Sequence, residues 1–300
     1  MLRNIVIGID FSKASLEGLQ AAARIAVEYE AKRLHLVHVV SMPGAVLPLP
    51  KDLIETARVR AQERLDALEV PETLWTTREV RFGIPARQLV SAAESVGADV
   101  IMVSGRGHGV LAEILGSVAS SLIRVAHCPV MILQGEVSPR FDDIVAAVDL
   151  SPISRNVLDC AFRVGARRQA RVIVLSLYEH PLLKSQPDGL LPRAVTPQDV
   201  EAQGEQQRRA VVDLISRVPS HGLDVQVEVM SKAPAANVIV DVARLTNANL
   251  VVLGTSGQGA WHRMILGSTA NFVLHRASCP VMVVPHEILD DAPLPAGLPA

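Results

Sequence analysis

Short runs of aliphatic and β-branched residues alternate along this chain with longer stretches whose apolar positions recur at helical spacing. In the first half the short runs are residues 4–9, 33–40, 74–82, 99–103 and 130–133, and each reads as a strand. Between the first two, Ser12 or Ser15 can cap a helix that places Leu16, Leu19, Ala23 and Val27 on one face. Residues 51–68, 86–96 and 117–126 read as further helices. Strand and helix alternating through five strands predict an α/β fold, a mostly parallel sheet with helices on both faces, because parallel neighbours need crossover connections. Runs such as Val100-Ile101-Met102-Val103 and Leu250-Val251-Val252-Leu253 are apolar at consecutive positions, as strands buried on both faces must be. Ligands of such sheets collect beyond the carboxyl ends of the strands, which directs attention to the residues after the first and fourth strands.

The pattern occurs twice. Ile5-Val-Ile-Gly-Ile-Asp10-Phe-Ser12 is echoed by Ile144-Val-Ala-Ala-Val-Asp149-Leu-Ser151, Leu115-Gly116-Ser117 by Leu266-Gly267-Ser268, and His127-Cys128-Pro129-Val130 by Ser278-Cys279-Pro280-Val281. The offset is 139 residues at the aspartates and 151 at the cysteines, so the second half has gained about a dozen residues, which the Pro-, Gly- and Leu-rich segment 179–200 accommodates. So long a period marks a duplicated domain rather than a solenoid. The expected units are 1–135 and 141–285, separated where Gly135 and Pro139 interrupt the periodicity, with a mobile tail over 286–300. The fifth strands, apolar and at the sheet edges, are expected to pair the two halves as a pseudo-dimer within the chain.

Composition narrows the function. Three hundred residues at 49% hydrophobic suffice for two packed cores, and 29 basic against 31 acidic residues leave no electrostatic footprint for nucleic acid or an anionic membrane. Aromatic residues at 3% provide few stacking platforms for single strands. No run is long and apolar enough to span a bilayer, and the beginning of the chain enters a strand without a signal-peptide pattern, so a cytoplasmic protein is expected. Cys128, Cys160 and Cys279 are too few and too dispersed for a disulfide framework or zinc cluster and read as buried thiols.

The chemistry concentrates in the second half. Its fourth strand leads into Gly254-Thr255-Ser256-Gly257, then nine residues, then Gly267-Ser268-Thr269 opening a helix. Paired glycines permit close backbone approach, and a Gly-Ser helix start offers free N–H groups and a hydroxyl, the parts of a phosphate cradle. The same residues equally suit an ordinary tight loop with a capped helix. There is no Walker loop, and Gly257-x-Gly259 is followed by His262 where a dinucleotide fingerprint needs glycine.

The spacing Gly-x2-Gly-x9-Gly-Ser after a hydrophobic fourth strand resembles the nucleotide loop of the universal stress protein family, and the whole chain is similar to a tandem member. The aspartate after the first strand, the Ala98-Asp99 and Ala248-Asn249 lead-ins to the fourth strands and the Cys-Pro-Val fifth strands fit the same pattern. The resemblance implies two Rossmann-like sheets of order 3-2-1-4-5, with ATP, alone or with magnesium, held between the first and fourth strands. It implies that Ala147, Val148 and Asp149 face the base and ribose, that Gly254, Ser256 and Gly257 line the sugar and phosphate path, and that Gly267, Ser268 and Thr269 hold phosphates. The corresponding second and weaker site comprises Asp10, Gly105, Gly107, Gly116 and Ser117. There the loop reads Ser104-Gly105-Arg106-Gly107, with serine for the first glycine and only eight residues before Gly116, and a Cβ at Ser104 is expected to narrow the approach. Arg106, His108 and Gly109 lie in that loop, and His262 and Arg263 in its counterpart, where a solvated loop tip is the competing reading.

Asp10 and Asp149 equally suit a turn closed on Ser12 or Ser151. His35 and His38 point to opposite faces of one strand and cannot share a metal. No Gly-x-Ser-x-Gly elbow supports Ser117 or Ser268 as a nucleophile, and phosphoryl transfer would need more acids and cations than are on offer, so an enzyme is not expected; slow hydrolysis or self-phosphorylation at Ser268 or Thr269 stays open. The expected function is a stress-response switch governed by adenine nucleotide and acting on a protein partner or a second copy. The alternatives are a scaffold without nucleotide and a binder of small apolar ligands assisted by Leu182, Leu183, Leu190 and Leu191.

Overall fold

The computed structural model describes residues 2–41, 50–105, 116–178, 196–231, 235–255 and 266–286. In the first half the strands are β1 (Asn4–Ile9), β2 (Arg33–Ser41), β3 (Thr76–Gly83), β4 (Val100–Ser104) and β5 (Val130–Leu133), interleaved with helices α1 (Lys13–Glu28), α2 (Lys51–Asp66), α3 (Pro85–Val96) and α4 (Ser117–Val125). The second half repeats the order with β6 (Asp143–Val148), α5 (Ser154–Gly165), β7 (Arg171–Tyr178), α6 (Pro197–Ser216), β8 (Asp224–Ser231), α7 (Ala235–Leu245), β9 (Leu250–Gly254), α8 (Ser268–Arg276) and β10 (Val281–Val284).

Strand alternation builds the layers. Ile5, Ile7 and Ile9 of β1 enter one core with α1 and α5, while Val6 enters another with α3, α4, α7 and α8. Each core runs without a break through both halves. Local signals set the helix ends: the Ser15 N–H donates to Ser12 Oγ at 3.1 Å to cap α1, Gly97 ends α3 with a left-handed φ of 58°, and Thr196 and Asp199 form a reciprocal capping box on α6. The core face of α1 keeps the expected Leu19 and Ala23 but turns away from Val27, which is 45% exposed; Leu16 is half-buried, and Ala22, Ile25 and Ala26, with Tyr29 just past the helix end, complete the buried stripe.

Each half has the expected order 3-2-1-4-5, and the halves join into one ten-stranded sheet, β3-β2-β1-β4-β5-β10-β9-β6-β7-β8. Among the described strands all pairings are parallel except the central one, where β5 and β10 run antiparallel with Met131 opposite Met282 and Val130 opposite Val283. The apolar edges identified in the sequence thus protect each other.

A second seam lies on the α1 and α5 face. Phe141, in the connection between the halves, donates its N–H to the Tyr29 hydroxyl at 3.3 Å, and the two rings sit 5.7 Å apart. Burial pushes the Tyr29 hydroxyl pKa well up. Arg168, in a single 3-10 turn after α5, reaches Glu28 at 3.1 Å and Asp142 at 3.4 Å, and Arg167 reaches Glu30 at 2.5 Å.

Candidate functional site

The two aspartates close the turns that follow β1 and β6. Asp149 Oδ1 accepts from the Ser151 N–H at 3.0 Å, the Ser151 hydroxyl at 2.5 Å and the Ser154 hydroxyl at 3.1 Å. The Asp149 N–H donates back to Ser154 Oγ at 3.3 Å. In the first half Asp10 Oδ1 accepts from the N–H and hydroxyl of Ser12 at 2.9 and 2.6 Å, and the Asp10 N–H donates to Ser15 Oγ at 3.3 Å. The residue after each aspartate, Phe11 at φ 60° and Leu150 at φ 62°, is left-handed, a conformation that few residues with a side chain adopt. The side-chain hydrogen bonds hold it there. Ser15 and Ser154 are therefore part of each site. Their sequence signal is the repeated Asp-x-Ser-x-x-Ser spacing at 10–15 and 149–154.

β1 lies beside β4 and β6 beside β9, so each turn neighbours the end of its fourth strand. Beyond β9, the Thr255 N–H donates to the Val284 carbonyl at 3.0 Å, and the Gly267 N–H donates to the Thr255 carbonyl at 2.8 Å, drawing the start of α8 against the end of β9. The first half repeats this with Gly105 N–H to Leu133 at 3.0 Å and Gly116 N–H to Gly105 at 3.3 Å. Gly116 and Gly267 are the N-caps of α4 and α8 with almost the same backbone, and among the described residues no side chain caps either helix. Ser117, Ser268 and Thr269 open these helices, whose first amides form a region of positive potential.

Of the other expected residues, Ala147 is partly exposed near the end of β6, whereas the Val148 side chain is 5% exposed and committed to the α5 core. Gly254 ends β9. Ser256, Gly257, His262 and Arg263 lie outside the described residues, as do Arg106, Gly107, His108, Gly109 and the four leucines 182, 183, 190 and 191.

The opposite end of the sheet repeats itself atom for atom in its bracing. Asp99 Oδ2 accepts from the N–H groups of Arg3 and Asn4 at 2.6 and 2.8 Å, and Asn249 Oδ1 accepts from those of Asp142 and Asp143 at 3.1 and 3.0 Å. Two halves built to one plan agree with comparison to known proteins, where the model of the universal stress protein family matches residues 1–134 and again 140–285. The chain belongs to the universal stress protein family. A universal stress protein of Mycobacterium tuberculosis is 30% identical over 311 residues, spanning 93% of this chain and 95% of that one, and a second from the same organism is 28% identical over 300 residues, spanning 93% and 96%. The crystal structure of a universal stress protein from Archaeoglobus fulgidus superposes with a TM-score of 0.64 at 19% identity, covering 94% of this chain and 96% of that one.

The two universal stress protein domains differ beside the aspartate turn. In the first, the Phe11 ring lies 4.6 Å from the His38 ring and under the Arg64 guanidinium at 4.0 Å, and His38 Nδ1 donates to the Ile9 carbonyl at 2.8 Å. In the second, Leu150 replaces Phe11, and the fully buried Ser176 stands where His38 does and accepts from Gln207 Nε2 at 2.9 Å. His35 faces the other side of β2, between Thr77 Oγ1 at 2.6 Å and Glu79 Oε2 at 3.0 Å. Burial works against the Glu79 charge, but hydrogen bonds from Arg81 and His35 outweigh it and hold the carboxyl below its ordinary range. Among the described residues no His, Cys, Asp and Glu cluster could hold a metal, and no helix is long and apolar enough to cross a membrane. Cys160 and Cys279 are buried as expected, while Cys128 is partly exposed.

Proposed function

We propose that this universal stress protein is a cytoplasmic regulator that binds an adenine nucleotide such as ATP, mainly in its second domain, and changes its affinity for a protein partner on doing so. The observation that carries the reading is the meeting of three elements at the carboxyl end of β6 and β9: the Asp149 turn, the Gly254–Thr255 strand end, and the uncapped start of α8 tied to it through Gly267. An anionic phosphate chain suits the amides of Ser268 and Thr269 and their hydroxyls, and the ribose hydroxyls suit the Asp149 carboxylate. Ala147 and the backbone of Val148 would flank the base, with Ser256 and Gly257 completing the path. ATP supplies the binding energy and the difference between its triphosphate and diphosphate forms; magnesium would enter with the phosphates, since among the described residues no acid cluster awaits it. Asp149 Oδ1 already serves three donors as a structural acceptor, which favours holding a ligand over moving a proton.

Calorimetric titration of ATP with magnesium into wild type, Asp149→Ala and Asp10→Ala tests this. Binding lost in the Asp149 variant and kept in the Asp10 variant, with both folded, is the expected result. A folded, nucleotide-free wild type that binds nothing would refute it.

A further inference from the structure

Ile153, buried at 3% exposure, precedes α5 and lies inside the turn that Asp149 holds. A Cβ built on Gly254 would lie 2.9 Å from its Cγ2 and 3.0 Å from its Cδ1. Cγ2 branches directly from the Ile153 Cβ, and a β-branched side chain is stiff about its first torsion, so moving this atom aside requires a change of rotamer or a shift of the backbone. The first half makes the opposite choice at each position. Ala14 stands in the place of Ile153, and Ser104 in the place of Gly254. Ser104 packs toward Gly18 of α1, where a Cβ would come 3.5 Å from the Ser104 Cβ, and the second half has Val157 at that place. One partner grows where the other shrinks. The contact links the Asp149 turn to the end of β9, because Ile153 adjoins Ser154, which is hydrogen-bonded to Asp149, and Gly254 adjoins Thr255, whose carbonyl accepts from the Gly267 N–H.

We infer that residues 153 and 254 form a size-matched pair and that Ile153 is a positioning residue, setting the separation of the Asp149 turn from the Gly254–Thr255 end of β9; this rests on the nucleotide reading above. The glycine at 254 makes room for Ile153, and Ser104 is matched by Ala14, so the serine is a packing exchange rather than an obstruction of the phosphate path.

The full chain, carrying Asp10→Ala so that only the second cleft reports, is compared with and without Gly254→Ser, Ile153→Ala and both together, by ATP calorimetry with magnesium and by denaturant unfolding. Gly254→Ser is expected to weaken binding tenfold or more, and the double variant to recover it to within threefold. Gly254→Ser with Ile153→Val should not recover, because valine keeps the offending Cγ2. A double variant as weak as Gly254→Ser, or a Gly254→Ser chain that binds like its parent, overturns the inference. If the parent and wild type bind no nucleotide, the nucleotide reading fails separately. The pair is then judged by unfolding alone: non-additive effects at 153 and 254 support it, and additive effects overturn it.

Discussion

Gly135 lies directly against the backbone of Ser278, so that a Cβ at 135 would stand 1.9 Å from the Ser278 carbonyl oxygen. Its φ of +62° also favours glycine, and the close approach lets Glu136 donate its N–H to Ser278 at 3.0 Å and Gln134 Nε2 to Ala277 at 3.3 Å. The connection between the domains is thereby latched to the entrance of β10.

Gly135→Ala is expected to cost about 3 kcal/mol or more, because the latch must open to admit the methyl group. Gly222→Ala is the control. Gly222 has φ +75° with nothing within 4 Å of an added Cβ, so the cost there should be about 1 kcal/mol. Denaturant unfolding measures both, and equal losses would contradict the role of the latch.

Val283 is 1% exposed and faces Val130 across the central antiparallel pair. A lysine there buries an unpaired charge in the one antiparallel pairing among the described strands. Val283→Lys should raise the radius of gyration in small-angle scattering as the halves separate. An unchanged profile would count against strand pairing as the joint.

The acid side of the stability curve should carry a contribution from His38. Burial, with the nearby Arg64 charge adding to it, holds this imidazole below its ordinary value of 6.5, despite the opposing effects of its hydrogen bond to the Ile9 carbonyl and of the Asp10 charge. Below pH 6.5 the unfolded chain therefore takes up more protons at this position, and stability falls as pH drops from there through the folded value. In His38→Gln this loss disappears, so the wild type should lose ground to the variant between pH 7.5 and 5. A difference that stays constant with pH would dismiss the effect.

The thiols should be unreactive while the chain is folded. Burial pushes Cys128 and Cys160 up to about 12 and Cys279 to about 11, leaving little thiolate at neutral pH. A chromogenic disulfide reagent at pH 8 should titrate all three cysteines promptly in guanidinium and far more slowly in native buffer. Rapid native labelling of Cys128, the partly exposed one, would show that its surroundings do not protect it.

Much of this architecture could be read from residue patterns. The bounds of β1 and β5 coincide with their apolar runs, since each run begins and ends where the sheet does. The fourth strand starts one residue later than expected, because Asp99 turns its carboxylate onto the N–H groups of Arg3 and Asn4 instead of extending the apolar run. The Tyr29–Phe141 and Arg168–Glu28 contacts had no sequence signal: they join residues more than a hundred positions apart, and no periodicity or motif relates them. In the site, Asp149, Gly267 and Ser268 stood out through their spacing. Ser154 and Ile153 did not, because a serine near a helix start reads first as a cap and an isoleucine as core. What Gly254 accommodates became visible only with its neighbour in place.

The most direct test of nucleotide binding at the second-domain cleft is hydrogen exchange of the full chain with and without ATP and magnesium, followed on peptides covering 144–158 and 250–275. Slower exchange in both segments together, centred on the Asp149 turn and the start of α8, is the predicted result. Unchanged exchange there under saturating nucleotide, or protection confined to other parts of the sheet, would contradict it.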